Sequence, residues 1–188
     1  CDTLNIYSTS GYGFLGYAHY PSSCSSDRER DGVVINHTTF PGGSFTNYNE
    51  GDTVVHEVGH WLGLYHTFRG DETDGCEGDG DLVSDTPIHK QNFSCTPGLD
   101  TCSTKVGVDP LSNFMNYTPD NCMENFTSGQ FDRMISQWIE FRQIEQVIAA
   151  PPTSTPVLAP TSSSHIPKAS GVTCKYPKRR FRAEIKTD

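Results

Sequence analysis

The chain has 188 residues, with 14 Lys and Arg against 23 Asp and Glu and a net charge of −9. That length suits one modest domain able to bury its own core, and the acidic balance excludes nucleic acid as a partner, because phosphate would be repelled. No apolar run approaches the ~18 residues of a membrane-spanning helix, so no membrane role is expected.

In chain order, Leu4-Asn5-Ile6-Tyr7 alternates apolar and polar residues and reads as a strand. A turn-rich piece from Ser8 to Gly13 leads to a second strand, Leu15 to Tyr20, ended by Pro21. After a polar loop over 22–32, Val33-Val34-Ile35 is an apolar run suited to a buried parallel strand. A Gly-, Pro- and Asn-bearing loop from Pro41 to Gly51 precedes a helix whose cap is expected at Asp52 or Thr53.

Residues 56–66 read His-Glu-Val-Gly-His-Trp-Leu-Gly-Leu-Tyr-His. His56 and His60, four apart, stack on one helix face and can grip one metal ion. Glu57 projects beside them, where a carboxylate can take a proton from water. Gly63 can adopt the left-handed conformation that ends a helix, bringing His66 back as a third ligand. Three neutral imidazoles with one open position make a catalytic zinc site. A structural zinc is usually closed by four protein ligands, and no cysteine or fourth histidine lies near this run. Chance coincidence of five such fixed positions is on the order of 10⁻⁷ per start site, which leaves little room for an amphipathic helix with surface histidines.

Residues 67–112 lack helical or strand period and are rich in Asp, Gly and Cys, a loop that needs staples or ions. Ser112-Asn113-Phe114-Met115-Asn116-Tyr117 follows at the distance of a metzincin Met-turn. Met115 would lie as an apolar base under the metal, and Tyr117 could stabilise an oxyanion. Thr127-Ser128-Gly129-Gln130 resembles a capping box. Behind it Phe131, Met134, Ile135, Trp138 and Phe141 or Arg142 follow helical spacing and are expected in the core. Pro151 to Ser170 is rich in Pro, Ser and Thr, a linker composition. The basic end, Cys174 to Asp188, has no apolar period and is expected to pack on nothing.

Seven cysteines point to an oxidising compartment. Sequons at Asn36, Asn92, Asn116 and Asn125 agree with a secreted, extracellular chain, with Asn92 the expected glycan acceptor.

With these segments in view, the sequence resembles the pappalysin group of metzincin metallopeptidases, especially its secreted fungal and microbial members. The resemblance rests on Leu15-Gly16-Tyr17-Ala18, Asp31 to Ile35, His56 to Phe68, Asp85-Thr86-Pro87, Asn113 to Tyr117, Cys122-Met123 and Phe126 to Gln130, and covers about residues 3–142. Astacins and adamalysins usually place an acidic residue after the third histidine, where this chain has Thr67.

The resemblance implies an α+β catalytic domain with a mixed twisted sheet, zinc helix, Met-turn and C-terminal helix over residues 1–148; residues 149–188, which by composition read as a disordered linker and basic tail, have no counterpart in it. The strand, backing helix and second strand that open such domains have no counterpart in this sequence. It further implies zinc on His56, His60 and His66, Glu57 as general base, Met115 as the Met-turn residue and Tyr117 as its flanking tyrosine. Disulfides Cys76–Cys102 and Cys95–Cys122 are implied as well, which leaves Cys1, Cys24 and Cys174 unassigned.

Related enzymes bind calcium in the acidic loop, where Asp71, Glu72, Asp74, Glu77, Asp79, Asp81 and Asp85 offer hard oxygen ligands and Asp79, Asp85 and Thr86 are named as ligands, the alternative being a solvated acidic loop. Asp120 matches a position that lines the S1′ pocket in some relatives, where a carboxylate favours Arg or Lys at P1′, the residue after the scissile bond. The alternative is an exposed turn aspartate behind Pro119. The edge strand at Gly16, Tyr17 and Ala18 would pair with an extended protein or peptide substrate. The expected activity is that of a monomeric, secreted zinc endopeptidase. The alternatives are a non-catalytic binding module or inactive fragment on the same scaffold and a calcium-dependent structural domain.

Overall fold

The computed structural model describes residues 1–10, 13–70 and 76–142, together with the backbone of 183–187. Four strands form one sheet: β1 (Leu4–Thr9), β2 (Gly16–Ala18), β3 (Val33–Asn36) and β4 (Ala183–Thr187), in the order β2-β3-β1-β4. β1 and β3 pair in parallel with Ile6 opposite Val33, whereas β2 runs antiparallel to β3 with Tyr17 opposite Val34. The mixed sheet follows from connection length: the chain must cross over between β1 and β3 but can turn back over a polar loop from β2 to β3.

α1 (Asp52–Trp61) lies on this sheet. Val33, Ile35 and Trp61 are its buried centre, with Leu4, Ile6, Val54, Val58 and Trp138 packed around them. A helix of 10 residues is marginal alone, so it is this packing that holds it. Its cap differs from the sequence expectation. Neither Asp52 nor Thr53 is the N-cap: Gly51 is, at φ 107°, without a side-chain cap bond. The amides of Glu50 and Gly51 instead donate to Asp120 Oδ2, at 2.8 and 3.2 Å, a carboxylate placed at the positive end of the helix by a loop far away in sequence.

α2 (Ser128–Phe141) opens on a capping box in which the Thr127 side chain and Gln130 satisfy each other's backbone amides. Its buried stripe is Gln130, Met134 and Arg142, with Trp138 half-buried. Phe131 and Ile135, expected in the core, are about half exposed (52% and 49%). The helical period was read correctly, but the inward face carries two polar residues, so hydrophobicity alone points to the wrong side of it. The polar pair is satisfied. Gln130 exchanges hydrogen bonds with Asn113 at 2.8 and 3.0 Å, and Arg142 reaches Asp31 Oδ2 at 2.8 Å and the carbonyls of Trp61 and Cys1.

Two further results differ from the sequence reading or extend it. Cys1 pairs with Cys24, while Cys174 lies outside the described residues. β4 sits beside β1 in parallel, Ile6 opposite Ile185, so this end of the basic tail does pack on the sheet. The unpaired amides and carbonyls on that side of β1 accept an extended segment whether or not it carries an apolar period. The rest of the linker and tail lies outside the described residues.

Candidate active site

α1 presents His56, Glu57 and His60 from one buried face. It ends at a sharp turn: Gly63 has φ 97°, and a Cβ there would also lie 2.6 Å from Gln137 Cγ. That turn delivers His66. The three imidazoles converge, with His66 Nε2 lying 3.0 Å from His60 Nε2 and 3.1 Å from His56 Nε2. The far nitrogens are held by the backbone, His56 Nδ1 by Phe114 O at 2.6 Å and His60 Nδ1 by Leu64 O at 2.7 Å. With those Nδ1 atoms donating, the Nε2 atoms of His56 and His60 present lone pairs to one point.

Burial keeps all three rings neutral. It is the first cause of the lowered His56, His60 and His66 values, the last falling to about 3 with His60 adding to the effect. Three neutral nitrogens facing one another repel unless a cation sits between them. Zinc–nitrogen bonds of ~2.0–2.1 Å in tetrahedral geometry separate ligand nitrogens by about 3.3 Å, close to the spacing here. The residues therefore fit a zinc ion. Among the described residues these histidines are the one group of three or more potential ligands within metal reach.

Met115 is fully buried beneath this group, and its Sδ occupies the space that a Cβ on Gly59 would fill. Its carbonyl accepts from Thr67 N at 3.1 Å, tying the Met-turn to the third histidine. Tyr117 packs on His66 with ring centroids 4.7 Å apart, and burial, followed by nearby Glu57, raises its hydroxyl pKa.

Glu57 is 5% exposed, and its Oε2 has no hydrogen-bond partner among the described residues. Burial lifts its carboxyl to about 8. Gly16 of the edge strand leaves room for it, since a Cβ there would lie 2.7 Å from Glu57 Cγ.

A cleft of about 520 Å³ runs along this centre, between β2 (Gly16, Tyr17, Ala18) on one side and Tyr117, Asp120 and Met123 on the other. β2 is the last strand on its side of the sheet. Asp120 is buried, not an exposed turn residue: one oxygen receives the two amides ahead of α1, and Oδ1 has no partner among the described residues. Asp52 lines the same cleft, a role the sequence reading missed because it took the residue for a helix cap. Burial, then Asp120 and Glu50, lift Asp52 to about 6.

The candidate calcium ligands separate. Asp85 accepts from Thr127 Oγ1 at 2.7 Å and Gly129 N at 2.8 Å, so its carboxylate serves the start of α2. Asp79 contributes a backbone carbonyl to a turn. Thr86 instead donates to Asp81 Oδ1 at 2.6 Å. Asp81, one of the loop acids but not among the three named as ligands, is buried, with Oδ2 unpartnered among the described residues and its carboxyl lifted by burial to about 6. Asp71, Glu72 and Asp74 lie outside the described residues. Cys76–Cys102 and Cys95–Cys122 are both formed, stapling this loop to itself and to the segment after the Met-turn. Of the sequons, Asn92 spends its amide on Lys90 O and Asp109 Oδ2, and Asn125 is the exposed one.

The family profile for Peptidase_M43, described as pregnancy-associated plasma protein-A, matches residues 5–138. The chain belongs to the pappalysin family of metallopeptidases. It is 47% identical over 143 residues to an extracellular metalloprotease of Colletotrichum graminicola, covering 74% of this chain and 50% of that protein. Another from Neurospora crassa is 49% identical over 144 residues, with 74% and 49% covered. The chain thus spans about half the length of the curated relatives it matches. Among solved structures, mature mirolysin of Tannerella forsythia in complex with a cleaved peptide superposes with a TM-score of 0.63 at 34% identity, covering 79% of this chain and 59% of that one. Mirolysin in complex with compound 9 gives 0.63 at 37%, with 72% and 52% covered. The fold is metzincin-like, and membership of this family implies zinc at the three histidines.

Proposed function

We propose that this chain is a secreted zinc endopeptidase that cleaves proteins on the N-terminal side of Arg or Lys. The observation that carries the reading is the meeting of three Nε2 atoms at 3.0–3.1 Å beside a buried Glu57 whose Oε2 lacks a partner among the described residues. His56, His60 and His66 would hold the zinc ion, which when bound would supply Lewis acidity towards a substrate carbonyl and a water. Glu57 takes a proton from the attacking water and passes it to the leaving amine. A nearby divalent cation favours its carboxylate form against the desolvation that raises its pKa. Tyr117, on the opposite wall, would donate to the developing oxyanion. β2 holds the substrate as an added antiparallel strand.

The P1′ preference is supported by Asp120 and Asp52, two acids on one cleft, the first with a buried oxygen that accepts no hydrogen bond among the described residues. A guanidinium or ammonium would occupy that acceptor. Calcium would sit at Asp81, with the Thr86 hydroxyl and a neighbouring carbonyl, oxygens suited to a hard cation. The disulfides and the extracellular relatives support secretion, and a monomeric state is kept from the sequence reading.

The test is zinc analysis of the purified chain together with casein and peptide hydrolysis, before and after chelation and with zinc restored. One equivalent of zinc and chelator-sensitive cleavage are expected. Zinc and peptide binding without any cleavage would make the chain a binding module on a metzincin scaffold.

A further inference from the structure

The cleft continues past the histidines into a second cavity of about 350 Å³, lined by Tyr20, Tyr65, His66, Phe68, Arg69 and Gln91 among others. It shares Tyr20 and His66 with the main cleft, so the two adjoin at the third histidine. Strand direction tells which part of a peptide would meet it. β2 runs from Gly16 to Ala18 and on to Tyr20. A peptide added antiparallel lays its C-terminal part beside Phe14 and Gly16 and its N-terminal part beside Ala18 and Tyr20. Asp52 and Asp120 share the main cleft with Gly13 and Phe14 and are absent from the second cavity. The second cavity therefore faces residues before the scissile bond. Alternate residues of an extended chain point the same way, so P2, two positions before P1′, is the side chain directed at this wall.

Its chemistry is opposite to that of the P1′ end. Arg69 is exposed, yet it is fixed: Nη1 donates to Gly80 O at 3.0 Å, and its guanidinium carbon lies 4.6 Å from the Tyr65 ring centre. Arg133 covers the same ring at 4.7 Å and is anchored through Nε to Gly63 O at 2.8 Å. No carboxylate among the described residues forms an ion pair with Arg69. A guanidinium held by backbone and ring, with donors left over, is preorganised for a carboxylate.

We propose that this cavity is the P2 subsite and that Arg69 makes it select Glu or Asp, so that the preferred substrate carries an acid two residues before a basic P1′. The proposal rests on the peptidase reading. It is tested with matched peptides carrying Glu, Gln or Arg at P2, on the parent chain and on Arg69→Gln and Arg69→Glu. Arg69→Gln keeps a side-chain donor for the Gly80 carbonyl. In kcat/KM the parent should favour Glu over Arg by about tenfold, as a single well-held charge contact allows. Arg69→Gln should bring that ratio to within about twofold, and Arg69→Glu should reverse it. The same peptides are titrated against zinc-loaded Glu57→Ala, where the ratio of Kd values reads the pocket without hydrolysis. If the parent cleaves nothing but the Kd order holds, the peptidase reading fails and the subsite stands. A ratio near one in the parent, in both rates and Kd, or one that survives in Arg69→Gln, overturns the subsite.

Discussion

Two buried polar clusters flank α1, one at its C-terminal end and one along the cleft, and are built on different principles. At its C-terminal end Asp31 is fully used, with Oδ1 accepting from Trp61 Nε1 at 2.8 Å and from Arg142, and Oδ2 from Arg142 at 2.8 Å. Arg142 also donates to Cys1 O and Trp61 O and lies 3.6 Å over the Trp61 ring, Nε alone making no hydrogen bond among the described residues. This cluster ties the chain start, β3, α1 and α2 together. In the cleft, by contrast, Glu57 Oε2 and Asp120 Oδ1 are equally buried and have no partner among the described residues. A buried carboxylate with every lone pair satisfied holds a fold. One with an acceptor to spare is waiting for a proton or a cation.

Substitutions should separate the two clusters. Glu57→Gln should lower hydrolysis by about 10²–10⁴-fold while zinc content and thermal stability stay near the parent's, as metal analysis and melting would show. Arg142→Ala leaves Asp31 charged and unpaired in the core and should cost about 3–5 kcal/mol in urea unfolding. A double Asp31→Leu, Arg142→Met chain should recover much of that loss, which a cleft double variant would not do for activity. Asp120→Ala removes an acceptor from two amides as well as the free oxygen. It should lower the preference for Arg over Gln at P1′ by about tenfold and soften the start of α1 by about 1 kcal/mol.

The smallest effect concerns Asp52. Its carboxyl is raised to about 6, so its charge is lost as pH falls through that value. The Arg-over-Gln ratio at P1′ should then drop a few-fold between pH 7.5 and 5, and Asp52→Asn should flatten the profile. The sign for stability is the reverse of a salt-bridged acid. A folded-state value above the unfolded one means that the ionised form costs stability once pH exceeds both. Asp52→Asn should therefore melt slightly higher at pH 7.5, by less than about 1 kcal/mol given its solvent exposure.

How much was legible depended on range. The zinc helix, the Gly63 turn and the Thr127–Gln130 box are local patterns whose geometry follows from spacing alone, and each is present in the structure. Helical spacing left Phe141 or Arg142 as the last inward position and the structure buries Arg142, but its partner was not legible, because Asp31 lies 111 positions away until the fold brings the two together. Likewise a cap search around Asp52 looks at neighbouring residues, whereas the carboxylate serving those amides comes from Asp120, 69 and 70 positions on. Arg69 carries no signal at all until strand direction assigns its cavity to one side of the scissile bond.

X-ray absorption at the zinc edge of the reconstituted chain, joined to metal stoichiometry, tests the central claim most directly. One zinc per chain with three imidazole nitrogens at about 2.0–2.1 Å and one lighter oxygen neighbour is the expected result. Sulfur in the coordination sphere, fewer than three imidazoles, or zinc well below one equivalent would contradict it.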